Sequence, residues 1–165
     1  MIDDEEFYKS SLDPFPSFLN AENIDGNNLS QPSRPQADLL CSLYFKNIDP
    51  FLKLLHRPRF FYDLSQFRRG VLNHSVQFEA LLSTMFYLTL ISLSEEYVCT
   101  NFESESKAKM MDNFRKLAEK ALVRSGFMQS HSLVSFQAYL LYLVSLIYPV
   151  PHQSPSSPLS LPAPT

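Results

Sequence analysis

The stretch Leu40-Cys41-Ser42-Leu43-Tyr44-Phe45-Lys46-Asn47-Ile48-Asp49-Pro50-Phe51-Leu52-Lys53-Leu54-Leu55-His56-Arg57-Pro58-Arg59-Phe60 decides the fold class. Ala37, Leu40, Cys41, Tyr44 and Phe45 recur at the spacing of one helix face. Pro35 suits the first position of that helix, where a missing amide hydrogen costs nothing. Asp49-Pro50 repeats the device, a carboxylate N-cap followed by proline, and predicts a second short helix carrying Phe51, Leu54 and Leu55. Pro58 is expected to end it, because a proline pushes the preceding residue out of the helical region.

Further along, Asp63 is expected to cap a short piece containing Leu64 and Phe67, closed near Gly70. Ser75 is the candidate N-cap of a long helix from Val76 to about Tyr97, with Glu79 near the capping-box position. Its apolar residues run nearly all round, so it needs cover on several sides. Ser104 or Ser106 opens a cleaner amphipathic helix. Ala108, Met111, Phe114, Ala118, Ala121 and Leu122 form its inner stripe, Lys107, Lys109, Asp112, Lys116, Lys120 and Arg124 its outer face. Asp112 and Lys116 stand in the favourable i,i+4 order, and Gly126 is a natural stop. Ser132 opens a last helix, Leu133 to Tyr148, ended by Pro149 and Pro151. Sustained alternation is absent, and the three glycines are too few for many strand turns. The two long helices on either side of Cys99 are expected to form a hairpin, with the last helix packed across it. The expected fold is all-α, an irregular bundle of about five to six helices.

The 165 residues allow one domain of ordinary size, and 14 phenylalanines and 8 tyrosines supply material for a core. Charge divides unevenly. Residues 1–33 hold seven acids and one base, whereas the remainder holds ten acids and thirteen bases. Residues 1–33 therefore read as a disordered acidic and aromatic head, 34–148 as the helical domain, and 149–165, with six prolines, as a disordered tail. In the head, Phe7, Tyr8, Phe15, Phe18 and Leu19 sit among acids, a composition that keeps rings exposed for docking on a protein groove or simply solubilises a linker. Cys41 and Cys99 form no disulfide framework, and Cys41 falls on an apolar helix side, as a buried free thiol would. The acidic N-terminus lacks the basic region a signal peptide needs, so none is expected. Leu133 to Ile147 is 15 residues long, short for a membrane span, so no membrane partner is expected.

Known catalytic motifs are missing. Gly26, Gly70 and Gly126 lie far apart, so neither a phosphate-cradling loop nor a dinucleotide fingerprint exists. His56, His74, His131 and His152 form no i,i+4 pair and have no cysteine pair nearby, so no zinc-ligand set is written in the sequence. An enzyme is not expected, nor is a cofactor. Segment His56–Phe60 has two readings: a basic loop touching an anion or partner, or a turn locked by Pro58, with His56 bonded to a backbone carbonyl and Phe60 in the core. Lys46, Lys53, Arg57, Arg59, Arg68 and Arg69 likewise read as a nucleic-acid patch or as an ordinary solvated surface. The weak net charge of the body favours the surface.

Three segments in order resemble the regulatory "middle homology" domain of fungal zinc-cluster transcription factors, the fungal-specific transcription factor domain. The first is the Leu…Tyr-Phe helix, proline and Leu-His-x-Pro-x-Phe turn, matched by Tyr44, Phe45, Pro50, Leu55, His56, Pro58 and Phe60. The second is Phe114 to Leu122, with Ala118 matching the family's alanine. The third is Phe136-Gln137-Ala138-Tyr139-Leu140-Leu141, similar to its Leu-Gln-Ala-x-Leu-Leu helix. The resemblance spans about 34–148 and implies structural roles for these residues. Glu119 departs from the family's arginine, and Tyr87 and Leu88 stand where alanines are frequent. The six-cysteine zinc cluster is absent, and two cysteines cannot hold two zinc ions.

The resemblance implies the front part of a nuclear regulatory domain that modulates transcription through protein contacts, self-association or small-molecule effector input. DNA contact would be left to a zinc-cluster domain elsewhere in a longer relative. The alternative is a stand-alone helical adaptor, nuclear or cytoplasmic. The helix from Val76 and the last helix together demand more cover than one amphipathic helix supplies. An open apolar face including Leu141 and Leu143 is therefore expected, where lysine would raise solubility without unfolding.

Overall fold

The computed structural model describes residues 29–102 and 106–148. Every regular element among them is a helix, and there are seven, one more than the upper expectation. The extra element comes from a break in the long central helix.

Helix α1 (Arg34–Asn47) starts as expected at proline, with Ser33 as N-cap. The Ser33 amide donates to Gln36 Oε1 at 3.0 Å, half of a capping box. Its inward face is Leu40, Cys41, Leu43, Tyr44 and Phe45, all buried. Helix α2 (Asp49–Leu52) is a single turn, preceded by Ile48 rather than capped by Asp49, whose side chain makes no cap bond. Lys53 ends it in the left-handed region at φ 47°, its amide returning to the Asp49 carbonyl.

Pro58 does not end this helix; it begins the next. Helix α3 (Arg57–Arg68) carries it in the first turn, where the fixed φ is already helical and no hydrogen bond is lost. Asp63 consequently lies inside α3 rather than capping a separate piece, and its partner is Arg59, one turn earlier, at 3.0 Å. Gly70 closes α3 as expected. It holds φ +70°, and its amide and that of Val71 return to the Phe67 and Gln66 carbonyls.

Helix α4 (Ser75–Ser92) is capped by His74, with Ser75 already inside it. It stops at Ser92, short of the expected Tyr97, because Leu93 turns extended. Helix α5 (Glu95–Phe102) restarts immediately, the Ser94 hydroxyl accepting the Tyr97 amide at 3.2 Å. Helix α6 (Lys107–Arg124) opens after Ser106 and closes at Gly126, φ +60°. Helix α7 (Leu133–Ile147) completes the described chain.

Helix α4 is the axis of the bundle. It packs against α1, α6 and α7, and every residue from Ala80 to Ile91 is buried. The paired long helices with α7 against them appear as expected. The cover demanded by an all-round apolar helix is supplied in full, however, and α4 contributes nothing to an open face. Two of its interior hydroxyls are absorbed locally: Thr84 and Thr89 donate to carbonyls one turn back at 2.9 and 2.7 Å.

Two assignments on α6 reverse. Lys107, expected outside, is buried, and Ala108, expected inside, is exposed. The Lys107 ammonium donates to the carbonyls of Leu93 at 2.6 Å and Ile91 at 3.3 Å. It thus satisfies the open C-terminal end of α4, where a cation is also favoured by the helix dipole. Its amide donates to Glu95 Oε1 at 3.0 Å, tying α5 to the same point. Burial holds its pKa below the usual lysine value, against the pull of Glu95. The Asp112–Lys116 pair forms as expected, at 2.7 Å.

Candidate functional site

The residues of the first sequence motif divide between core and surface. Tyr44, Phe45, Leu55 and Phe60 are buried, whereas Pro50, His56 and Pro58 are exposed at the starts of α2 and α3. Phe60 meets the rings of Phe45, Phe61 and Phe78 at centroid distances of 5.3, 5.4 and 5.6 Å. Among the described residues the His56 ring bonds no carbonyl; instead its own carbonyl accepts the Phe60 amide at 2.9 Å, the first bond of α3. The other two motifs close onto this one. Ala118 and Ala138 are fully buried in α6 and α7, and Gln137 Nε2 donates to the Leu54 carbonyl at 2.9 Å. A residue 83 positions away therefore holds the loop between α2 and α3. Phe7, Tyr8, Phe15, Phe18 and Leu19 lie outside the described residues.

Three of the six bases are engaged with neighbouring side chains. Arg59 pairs with Asp63 and Arg68 with Asp38. The Arg57 guanidinium lies over the Phe45 ring, 5.5 Å from its centroid. Lys46, Lys53 and Arg69 are separately exposed on α1, after α2 and after α3. This is the solvated-surface reading of those bases.

Glu119, the departure from the family pattern, is buried and bonded. Tyr142 donates its hydroxyl to Glu119 Oε1 at 2.7 Å, and Arg115 Nη1 lies 3.3 Å from the same oxygen. The link joins α6 to α7. Burial and the Glu119 bond both push the Tyr142 phenol above its usual pKa. Sequence reasoning missed this bridge, because an acid within an apolar stripe reads as an interruption until its partner on another helix is known.

Two surfaces remain available for binding. The first is the outer face of α7. Its inward residues are Ser135, Ala138, Leu141, Tyr142 and Ser145, and the small ones let α7 lie close to α4. Leu141 is fully buried, which corrects the expectation that it is open; Leu143 is half-buried. The outward residues are larger: Leu133, Phe136 and Ile147 are 70%, 57% and 80% exposed. With half-buried Leu140 and Leu143 they repeat at 133, 136, 140, 143 and 147, the seven-residue spacing of a helix-pairing seam. Helix α7 contains no charged residue. Phe51, 86% exposed, lies beside its end and shares with Val144 and Tyr148 a shallow apolar hollow of about 280 Å³.

The second is a cavity of about 600 Å³ where α1, α3 and α4 diverge. Cys41, Leu64, Phe67, Leu82 and Phe86 make its apolar wall, and Arg34, Arg68 and Glu79 are its charged lining. Burial pushes the Cys41 thiol up to about 12 despite the opposing Arg68 charge, so this wall stays uncharged at neutral pH. Glu79, expected to act in a capping box, pairs with Arg124 of α6 instead. No helix among the described residues is long and apolar enough to cross a membrane.

No protein-family model matches the chain, and no solved structure matches it. Curated fungal proteins do. The C6 finger domain transcription factor nscR of Aspergillus fumigatus is 33% identical over 108 residues, 64% of this chain and 14% of that protein. Transcription factor vrtR2 of Penicillium aethiopicum is 32% identical over 144 residues, 81% of this chain and 17% of its own length. Transcriptional regulator AacuB of Aspergillus aculeatus is 29% identical over 117 residues, 71% of this chain and 16% of the regulator. The chain is therefore related to a region of fungal transcription factors. It spans only about a sixth of the length of these relatives.

Proposed function

We propose that this chain is a regulatory segment of a fungal zinc-cluster transcription factor, one that does not itself read DNA. It acts in the nucleus through protein contacts, the contact surface being the outer face of α7 and the partner a second copy of the same chain. The relatives supply the transcriptional setting. The observation that carries the contact is the uncharged stripe of exposed Leu133, Phe136 and Ile147 with half-buried Leu140 and Leu143. An uncharged apolar stripe is complementary to itself: a two-fold pairing brings no like charges together and covers both copies at once. DNA reading is left to a zinc cluster, whose six cysteines this chain does not contain.

Sedimentation velocity of the full chain tests the contact. Dimers at tens of micromolar, an order of magnitude typical of transient affinities, and monomers for Phe136→Lys are the expected pair of results. A wild-type monomer that apolar-surface dyes ignore would overturn it. Titration against DNA duplexes at physiological salt tests the other half. Specific readers prefer their site by about 10³-fold or more, and no such preference is expected here.

A further inference from the structure

The cavity between α1, α3 and α4 is a half-open pocket at the surface rather than an enclosed void. At about 600 Å³ it falls in the range of small-molecule sites, roughly 300–1,000 Å³. That is far larger than a single ion or an inorganic phosphate requires. Three polar side chains in its lining, Gln31, Arg34 and Ser83, have no partner in the described structure, and Gln31 carries no charge. The Arg34 guanidinium, in the first turn of α1, has no hydrogen bond or ion pair with any described residue. The Ser83 hydroxyl, on a buried turn of α4, is likewise without a described partner. Its neighbours Thr84 and Thr89 on the same helix both return their hydroxyls to backbone carbonyls. A hydroxyl kept out of that local pattern and turned to a cavity is a donor awaiting an acceptor.

Charge selects the ligand further. Arg68 is held by Asp38 and Glu79 by Arg124, so each of those linings is locally neutralised. The unmatched charge in the lining is Arg34, and it is positive. The remaining wall is apolar, with the rings of Phe67 and Phe86 and the protonated thiol of Cys41. A cation is disfavoured at the mouth and a strongly polar body is disfavoured inside.

We infer that this cavity binds an apolar small molecule bearing one carboxylate, its body against Phe67 and Phe86 and its carboxylate held by Arg34 with Ser83 as a second donor. The inference does not rest on pairing through α7, none of whose residues lines the cavity.

Calorimetric titration of the full chain with 2-naphthoate, and with neutral 2-naphthamide as the isostere, tests it. Naphthoate is expected to bind, and the amide more weakly by about tenfold or more, the scale of a charge-assisted hydrogen bond. Arg34→Gln, an exposed change in a first turn, should remove that preference while leaving amide binding as it was. Ser83→Leu should weaken both probes by filling the space. Phe136→Lys should leave naphthoate binding unchanged even where it abolishes dimers, which separates this site from the α7 face. The inference is overturned if neither probe binds, or if naphthoate binds with the same preference in Arg34→Gln.

Discussion

Phe60 and Arg57 stand three residues apart and differ in everything that sets stability. Phe60 is buried among three other rings, so Phe60→Ala removes transfer energy and leaves a cavity, costing roughly 3–5 kcal/mol. Arg57 is exposed and gives up its position over Phe45, about 0.5–1 kcal/mol. Urea midpoints of the two variants should separate by that margin; equal small shifts would show that the segment is not anchored. Cys41 offers a second check at this scale. Its thiol ionises in the unfolded chain near the ordinary 9.0, but in the fold only near about 12. The fold therefore holds more protons than the unfolded chain across that window. Stability is complete below pH 9.0 and falls as pH rises toward about 12, by roughly 1.4 kcal/mol per pH unit for this group. Cys41→Ala should flatten part of that fall in urea titrations at rising pH. In the native protein iodoacetamide should label the half-buried Cys99 and spare Cys41.

Elements here are joined end to end by single side chains. Lys107 is the clearest case: placed at the start of α6, it satisfies the last carbonyls of α4, while its amide bonds Glu95 of α5. Lys107→Met keeps the stem and removes the donors, leaving two carbonyls unpaired. A loss of about 1–3 kcal/mol is expected, against less than about 0.5 kcal/mol for exposed Lys120→Met. Thermal melts of the pair decide it, and equal melting temperatures would show that water serves the end of α4 as well. Amide exchange in α4 should also quicken toward Ser92 in Lys107→Met. The sequence marked most helix starts correctly, because caps, prolines and glycines act within one turn. It erred at Pro58, where the same residue type serves equally to end one helix or begin another. It erred again past Ser92, because no residue there forbids a continuous helix, yet Leu93 turns extended before Glu95 begins a new one.

For the whole molecule, the decisive fact is which face α7 turns inward: Leu141 and Tyr142 with three small residues. Ser135, Ala138 and Ser145 face α4, whereas Leu133, Phe136 and Ile147 face away. Lysine at Leu141 would bury a charge among apolar neighbours, so that variant should not fold, losing more than about 4 kcal/mol. Lysine at Ile147 should fold normally and weaken self-association. Circular dichroism with sedimentation on both variants tests the orientation of α7. A folded Leu141→Lys chain would reverse it.

The all-helical class, the position of α1, the stop at Gly126 and the buried state of Cys41 were legible in the residues themselves. Each depends on hydrophobic period or on a hydrogen bond closed within a few neighbours. The resemblance in the three motifs was legible too, and the relatedness to fungal transcription factors agrees with it. Three things waited for the tertiary structure: the inward face of α7, the bridge from Glu119 to Tyr142, and the cavity bounded by Arg34 and Ser83. A helix that is apolar on every side carries no period to orient it. A buried acid or an unpaired hydroxyl takes its meaning from a partner, or a space, supplied by a segment distant in sequence.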